Sequence, residues 1–463
     1  SGPAATGHTP STTHARPELI VSPASAPTQA IPTSPLAHRP LRHGPPLVAH
    51  PDGQSLIVGG TPTRGALTIG PGPQLPLAPV RWISAAAADD RVVAVVEGTA
   101  GTVRLQTFSA GRLIQDFPLT LESPGPIALG DLDGDGQADA FVGARSAALY
   151  PNTTPGLLLK GSQDGFATWT TLETGLATGA SMGDADRDGD LDLAVATEWG
   201  PVRLFINEGG QLTDRSAEWG LTALTGLWQD VAWGDLNGDG REDLVAGNWG
   251  WNSRYGRIGA PDQSGQGLRL YPADHDGDGR PDPVEAEYRE DLRGWSPIAD
   301  FGTLRRALPV LSRRVSSWRA FASSTVEDLL GPQEAWLEAT TLATTVFLNE
   351  GDGFRAEVLP QTAQFSAAEA VEIADIDGDG RAEVLIAQNE FDIQPPGTVR
   401  QDAGRGLLVR RFGSPEDLQG EAWSVSSLHF PGDHEDVVVI GGVAVISLRN
   451  GSVYRIPLAG LDH

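Results

Sequence analysis

Short apolar runs recur along this chain from about residue 47 onward. Ser55-Leu56-Ile57-Val58, Arg91-Val92-Val93-Ala94-Val95-Val96 and Thr102-Val103-Arg104-Leu105 are typical, and clusters of Gly, Pro or Asp separate them. Runs of this length, rich in β-branched residues and bounded by turn formers, predict strands. The pattern is all-β.

The runs are organised around one repeated polar segment. Asp131 to Asp139 reads Asp-Leu-Asp-Gly-Asp-Gly-Gln-Ala-Asp, and its grammar returns at Asp184 to Asp192, Asp235 to Asp243, Asp274 to Asp282 and Asp375 to Glu383. The first three begin 53 and 51 residues apart, the length of a four-stranded propeller blade. One apolar strand precedes each of these segments and another follows, as in Val231-Ala232-Trp233-Gly234 and Leu244-Val245-Ala246-Gly247. A third ends in an Asn/Gly turn, Phe205-Ile206-Asn207-Glu208-Gly209, repeated at Phe347-Leu348-Asn349-Glu350-Gly351.

The regularity fails between 235 and 375. The loop at 274–282 occupies part of this gap. A helical insertion at about 300–340 occupies the rest, where Leu304, Leu308, Leu311, Val315, Trp318 and Phe321 recur at three- or four-residue spacing, an amphipathic stripe. Pro309 interrupts its start. Ser324 to Glu327 reads as a capping box for a further short helix, stopped at Gly331-Pro332. Blade-sized units then fall at about 47–79, 80–123, 124–176, 177–227, 228–365 with the insertion, 366–420 and 421–463. The prediction is a seven-bladed β-propeller, with six or eight as alternatives, spanning 47–463 and closed by strands from the two chain ends. Residues 1–46 are rich in Pro, Ser, Thr and Ala and form an extended tail, expected to lie along its own propeller or a neighbouring chain. Five histidines fall there or just after it (His8, His14, His38, His43, His50), irregularly spaced and read as bystanders.

Composition narrows the function. The 463 residues carry a net charge of −27 and no cysteine. The charge repels nucleic acid and anionic membranes. The missing cysteine excludes disulfides, thiolate metal sites and thiol nucleophiles. No apolar run is long enough to cross a membrane as a helix. The small polar start at Ser1 fits the mature end of a secreted protein, so an extracellular, cell-surface or periplasmic location is expected.

The acidic segments carry the chemistry. Oxygen side chains stand at positions 1, 3, 5 and 9: Asp131, Asp133, Asp135 and Asp139; Asp184, Asp186, Asp188 and Asp192; Asp235, Asn237, Asp239 and Asp243; Asp274, Asp276, Asp278 and Asp282; Asp375, Asp377, Asp379 and Glu383. Glycine holds position 6 in every one. Carboxylates packed this densely repel one another unless a cation sits among them. An all-oxygen donor set selects Ca²⁺ over zinc or copper, and up to five ions are expected. The position-7 carbonyl of Gln137, Asp190, Arg241, Arg280 or Arg381 can add a ligand. Asn237 makes the third loop the least charged. The loops are not EF-hands: position 12 is Val142, Val195, Ala246, Glu285 or Ile386 rather than a uniform Glu, and strands flank them.

The loop instead resembles the FG-GAP/VCBS repeat of integrin α-subunit propellers and bacterial surface proteins. That resemblance implies a loop joining the first two strands of a blade around Ca²⁺. The first ion would be held by Asp131, Asp133, Asp135, the Gln137 carbonyl and Asp139, and the other four loops would follow in register. A narrower likeness, to bacterial VCBS proteins related to cartilage acidic protein, rests on Asn248-Trp249-Gly250-Trp251-Asn252, Thr325 to Leu330, Leu342-Ala343-Thr344-Thr345 and Ala363-Gln364-Phe365. Those relatives often carry an ASPIC/UnbV domain, which is not expected after His463.

Two further features stand out. Trp219, Trp228, Trp233, Trp249 and Trp251 cluster and are expected to pack rather than to form a carbohydrate platform. Arg293, Arg305, Arg306, Arg313, Arg314 and Arg319 are the one basic concentration, and would suit an acidic partner or a second copy of the chain. GxSxG, P-loop and HExxH motifs are absent. His275, His429 and His434 lack metal-ligand spacing, and no catalytic residue is assigned. The expectation is a calcium-binding, non-enzymatic scaffold that engages protein partners, or itself, through the tail and the insertion. The alternative is an extracellular enzyme or lectin-like module acting on polysaccharide.

Overall fold

The computed structural model describes residues 16–21, 46–50, 54–59, 66–71, 75, 81–97, 102–121, 123–146, 149–260, 266–391, 401–411 and 423–458. Most of the tail, with His8, His14, His38 and His43, lies outside them. The described residues form eight antiparallel sheets. After a first strand, β1 (Glu18–Val21), whose partner comes from the far end of the chain, come β2 (Leu47–Ala49), β3 (Leu56–Val58) and β4 (Leu67–Ile69), which form one sheet. The second contains β5 (Arg81–Ala88), β6 (Arg91–Glu97), β7 (Val103–Ser109) and β8 (Arg112–Leu119). The third contains β9 (Ser123–Gly130), β10 (Asp139–Ser146), β11 (Gly156–Ser162) and β12 (Gly165–Leu172). The fourth contains β13 (Leu176–Gly183), β14 (Asp192–Gly200), β15 (Arg203–Asn207) and β16 (Leu212–Asp214), and β17 (Gly226–Leu227) adds to β14.

The fifth sheet starts with β18 (Asp230–Gly234) and β19 (Asp243–Gly247), then breaks off. An inserted sheet intervenes, formed by β20 (Leu268–Tyr271), β21 (Val284–Arg289), β22 (Gly294–Pro297) and β23 (Leu337–Ala339) in the order β22-β21-β20-β23. The chain then returns to the fifth sheet with β24 (Thr345–Asn349) and β25 (Phe354–Val358). The sixth holds β26 (Ala368–Ala374), β27 (Glu383–Gln388), β28 (Leu407–Arg411) and β29 (Trp423–Ser427). The last holds β30 (His434–Ile440), β31 (Val443–Leu448), β32 (Val453–Pro457) and, as its fourth strand, β1.

These sheets make a ring. The first strands β2, β5, β9, β13, β18, β26 and β30 touch in that order, and β30 touches β2. Among the described residues, seven apolar cores fill interfaces between successive sheets. Between the third and fourth sheets, Phe141 and Leu158 meet Leu193, Val195 and Phe205. Between the last and the first, Val438 and Val445 meet Leu47 and Leu56. Each sheet therefore buries both faces, which is why its second strand is continuously apolar rather than alternating. Closure uses both ends of the described chain. β1 pairs antiparallel with β32, Glu18 meets Arg455 at 2.8 Å, and the Leu47 N–H donates to Asp436 Oδ2 at 2.8 Å. The fold is a β-propeller, and residues 18–21 lie along their own ring.

The insertion differs in detail from the expected stripe. It holds four short helices, α1 (Phe301–Ala307), α2 (Leu311–Arg314), α3 (Trp318–Ala322) and α4 (Val326–Leu330). Phe301, Leu304, Leu308, Leu311, Val315, Phe321 and Leu329 share one core with Val284 of the inserted sheet. Trp318 does not join them and is 62% exposed. Ser317 caps a new helix, its side chain accepting from the Ala320 N–H, so the helical register restarts and Trp318 leaves the buried face. The capping box is also one residue later than expected: Thr325 and Asp328 form it, because Thr325 is the residue with extended backbone. Trp228 and Trp251 are buried, while Trp219, Trp233 and Trp249 pack against the same two cores.

The Asn248–Asn252 segment marks where the chain leaves the ring, and Leu342–Thr345 marks where it returns. Asn248 is fully buried; its Nδ2 donates to the Thr341 and Ala343 carbonyls, and its Oδ1 accepts from the Leu227 and Trp249 N–H groups. Gln364 bridges Thr344 in both directions. Gly250, at φ +75, sits where a Cβ would meet the Ser366 carbonyl at 2.6 Å, so only glycine fits. These motifs serve as the anchor of the insertion.

Candidate metal centres

All five acidic loops join a first strand to a second one in the ring, except 274–282, which joins β20 to β21 in the inserted sheet. Their internal hydrogen bonds are nearly the same. The position-1 carboxylate caps the turn. Asp131 accepts from the Gly134, Asp135 and Gly136 N–H groups at 2.9, 3.2 and 2.7 Å, and Asp184, Asp235, Asp274 and Asp375 act likewise. The position-5 carboxylate accepts from the position-7 N–H: Asp135 from Gln137, Asp188 from Asp190, Asp239 from Arg241, Asp278 from Arg280 and Asp379 from Arg381. The position-9 carboxylate accepts from the position-2 N–H, as Asp192 does from Ala185 at 2.8 Å and Glu383 from Ile376 at 2.8 Å.

Such turns need left-handed backbone at position 4. Glycine supplies it in four loops, but the second loop places Arg187 there at φ 65, at some cost in strain.

In four loops the carboxylates at positions 1, 3 and 9 bring one oxygen each within 4.8 Å of the others: Asp131, Asp133 and Asp139; Asp184, Asp186 and Asp192; Asp274, Asp276 and Asp282; Asp375, Asp377 and Glu383. These four groups are able to hold a metal ion. The third loop has the same turn, with Asn237 Oδ1 in place of a carboxylate and accepting from the Asp239 N–H at 2.8 Å. Position 5 stands outside the groups.

Burial and mutual repulsion raise several of these acids. Asp192 is pushed up to about 7 and Asp243 to about 6, mainly by burial, against hydrogen bonds from Asn207 and Ala185 or from Asn349 and Leu236. Asp139, Asp186, Asp282 and Glu383 are also raised, first by burial and then by neighbouring loop carboxylates. Asp274 moves the other way because backbone N–H groups, led by Gly279, stabilise its charged form. A site that penalises crowded negative charge is the electrostatic complement of a cation. Asp133 Oδ1, buried and without a hydrogen-bond partner, is an oxygen left over for such an ion.

Two groups of residues escaped the sequence reading. The first is the pair Asn207 and Asn349. Asn207 N–H donates to Asp192 and Asn349 N–H to Asp243, each at 2.8 Å. Their side-chain amides reach the previous loop, at the Leu132 and Ala185 carbonyls, so neighbouring loops are tied together. The recurring Asn-Glu-Gly turn was the signal. The second is Lys160, the one lysine of the chain. It ion-pairs with Asp133 and Asp135 of the first loop. His275 donates its backbone N–H to Asp282, and His434, held neutral by burial with its pKa down at about 4, accepts from the Gln388 N–H at Nδ1.

Residues 184–246 match the model of the FG-GAP-like repeat and residues 227–266 that of the FG-GAP repeat. The second and third loops thus lie in FG-GAP-type repeats set in a β-propeller. Neither match selects the narrower subgroup related to cartilage acidic protein. No curated protein matches the chain. Solved structures similar to it include Chaetomium thermophilum Sqt1 bound to the N-terminus of the ribosomal protein L10, at 11% identity and TM-score 0.43, covering 89% of this chain and 96% of that one. Saccharomyces cerevisiae Sqt1 is similar at 10% identity and TM-score 0.41, covering 90% and 95%.

Proposed function

We propose that this chain is a calcium-loaded, extracytoplasmic β-propeller that serves as a non-enzymatic scaffold for protein partners. The observation that carries the reading is the fourfold recurrence of one three-carboxylate group on one hydrogen-bonded turn. The donors are hard oxygens, which suit Ca²⁺. In each loop positions 1, 3 and 9 would hold the ion, joined by position 5 and the position-7 carbonyl as the repeat family implies. The ion supplies countercharge and rigidity. Fixed loops pin first strands to second strands without disulfides, a useful property outside the cell. The two FG-GAP matches agree with this setting.

The test is a titration of chelated protein with Ca²⁺ alongside thermal unfolding. Four to five bound ions and a melting temperature raised by several degrees on adding Ca²⁺ are expected, since each site contributes about 2.7 kcal/mol at a hundredfold excess over Kd. No uptake, or a chelator-insensitive melt, overturns it.

A second reading, an enzyme centred on the ring axis, draws on one observation. A cavity of about 250 Å³ is lined by all seven first strands and contains Arg145, Asp230, Glu372, Glu435 and Asp436. Asp230 accepts from the Val371 N–H and Asp436 from the Leu47 N–H, and Glu435 faces Arg449 at 3.4 Å. Asp230 and Asp436 are engaged in joining sheets and Glu435 in an ion pair within its own sheet, which favours the scaffold.

A further inference from the structure

Residues 301–324 hold five arginines, Arg305, Arg306, Arg313, Arg314 and Arg319, and no aspartate or glutamate, in a chain of net charge −27. All five are exposed. Other arginines of the molecule pair with acids: Arg104 with Asp116, Arg145 with Glu198, Arg355 with Glu350 and Glu357. Among the described residues, none of these five makes an ion pair. The nearby carboxylates are held mainly by caps, although Asp300 also feels the Arg306 charge. Asp300 caps α1, accepting from the Gly302 and Thr303 N–H groups and the Thr303 hydroxyl. Asp328 closes the capping box with Thr325. Arg314 donates to the Leu329 carbonyl at 3.0 Å and Arg305 lies over the Phe301 ring at 5.4 Å, so these two are positioned without being neutralised.

Trp318 sits within this basic stretch. It is the most exposed large apolar side chain among the described residues, at 62%. It is not floppy surface: its ring meets Phe301 edge-on at 5.5 Å and lies against Gly302, where an added Cβ would come within 3.4 Å of it. The helices beneath are fixed to the inserted sheet through the core around Val284. A rigid tryptophan among unpaired guanidinium groups is the composition of an interface hot spot.

We propose that this face docks an acidic polypeptide segment of a protein partner, its carboxylates meeting the guanidinium forks and an apolar side chain covering Trp318. Planar guanidinium suits bidentate carboxylate pairing. Charge decides the class of partner. A long polyanion, or a second copy of this chain, brings its full charge against a body of −27, whereas a short acidic segment brings only the groups that pair. The inference deepens the scaffold reading by giving the partner its chemistry, and does not depend on the loops holding calcium.

The experiment uses the full chain in calcium-containing buffer and a fluorescein-labelled peptide of mixed Glu and Asp with one central Phe, read by anisotropy. Binding that weakens as salt rises is expected. Arg305→Glu combined with Arg306→Glu and Arg313→Glu should weaken it at least about tenfold, and Trp318→Ala about tenfold with the salt slope retained. Melting temperatures of the variants should match the parent, since all four side chains are exposed. Peptide affinity no better than that of the same peptide with Gln and Asn in place of Glu and Asp, or unchanged in the triple variant, refutes the assignment. So does equal affinity for a DNA oligonucleotide, or a salt-sensitive dimer in sedimentation that the triple variant abolishes. Failure here leaves the calcium titration unaffected, so the two readings fall separately.

Discussion

The loop at 235–243 and the loop at 274–282 are built from almost the same residues but sit in different settings. In the ring, Asp243 is fully buried and holds two backbone N–H groups, from Leu236 within the loop and Asn349 on the next strand. Asn349 also grips the preceding loop, and the Ala382 N–H of a later loop donates to the Asp235 carbonyl at 2.8 Å. In the inserted sheet, Asp282 is only half-buried, receives the His275 N–H, and Asp274, Asp276 and Asp278 are exposed. The same nine-residue turn is a joint between sheets in one place and a free hairpin tip in the other. Local sequence specifies the turn, while its mechanical consequence depends on what the third strand offers to position 9.

The largest expected effect tests that contrast. Asp243→Ala leaves two buried N–H groups unsatisfied and should cost about 3 kcal/mol or more of unfolding free energy, whereas Asp282→Ala should cost about 1 kcal/mol. Urea unfolding of both variants in chelator isolates the protein's share from any ion's. Equal losses would dissolve the distinction between joint and tip.

A medium effect concerns pH at the ring axis. Burial, then the nearby charges of Asp436 and Asp230, push Glu372 up to about 8, opposed by a hydrogen bond from the Val439 backbone. A carboxyl raised in the folded state binds its proton more tightly there than in the unfolded chain. Its contribution to stability therefore falls as pH rises from its unfolded value, about 4.5, to about 8. Glu372→Gln should leave the melting temperature unchanged near pH 4 and raise it progressively relative to the parent by pH 8. A constant difference across that range would refute the raised carboxyl at the ring axis.

The smallest effect is at Lys160. Its ammonium reaches Asp133 and Asp135, whereas the equivalent strand positions opposite Asp192 and Asp243 are Ile206 and Leu348 by register. Lys160→Met should tighten cation binding at the first loop by about two- to fivefold, the scale of a half-exposed ion pair, as read by calorimetric titration. No change would place the first loop with the second and third.

The repeat was legible in the sequence because turn geometry and metal-type donors impose fixed spacing on Asp and Gly. The ring was legible because blade length imposes a period. What stayed hidden is non-local. The partner of Asp243 lies 106 residues away at Asn349. Asp230, Glu372 and Asp436 come from three separate sheets. The helical stripe misled at Trp318 because periodicity assumes one continuous register, and Ser317 resets it.

The pairing of β1 with β32 bears on how the molecule is made. Glu18–Val21 precedes every other described strand, yet its only sheet partner is the strand at Val453–Pro457. During synthesis that early segment must wait, unpaired, until nearly the whole chain has emerged. The circle can be locked only once synthesis has delivered both ends of the ring.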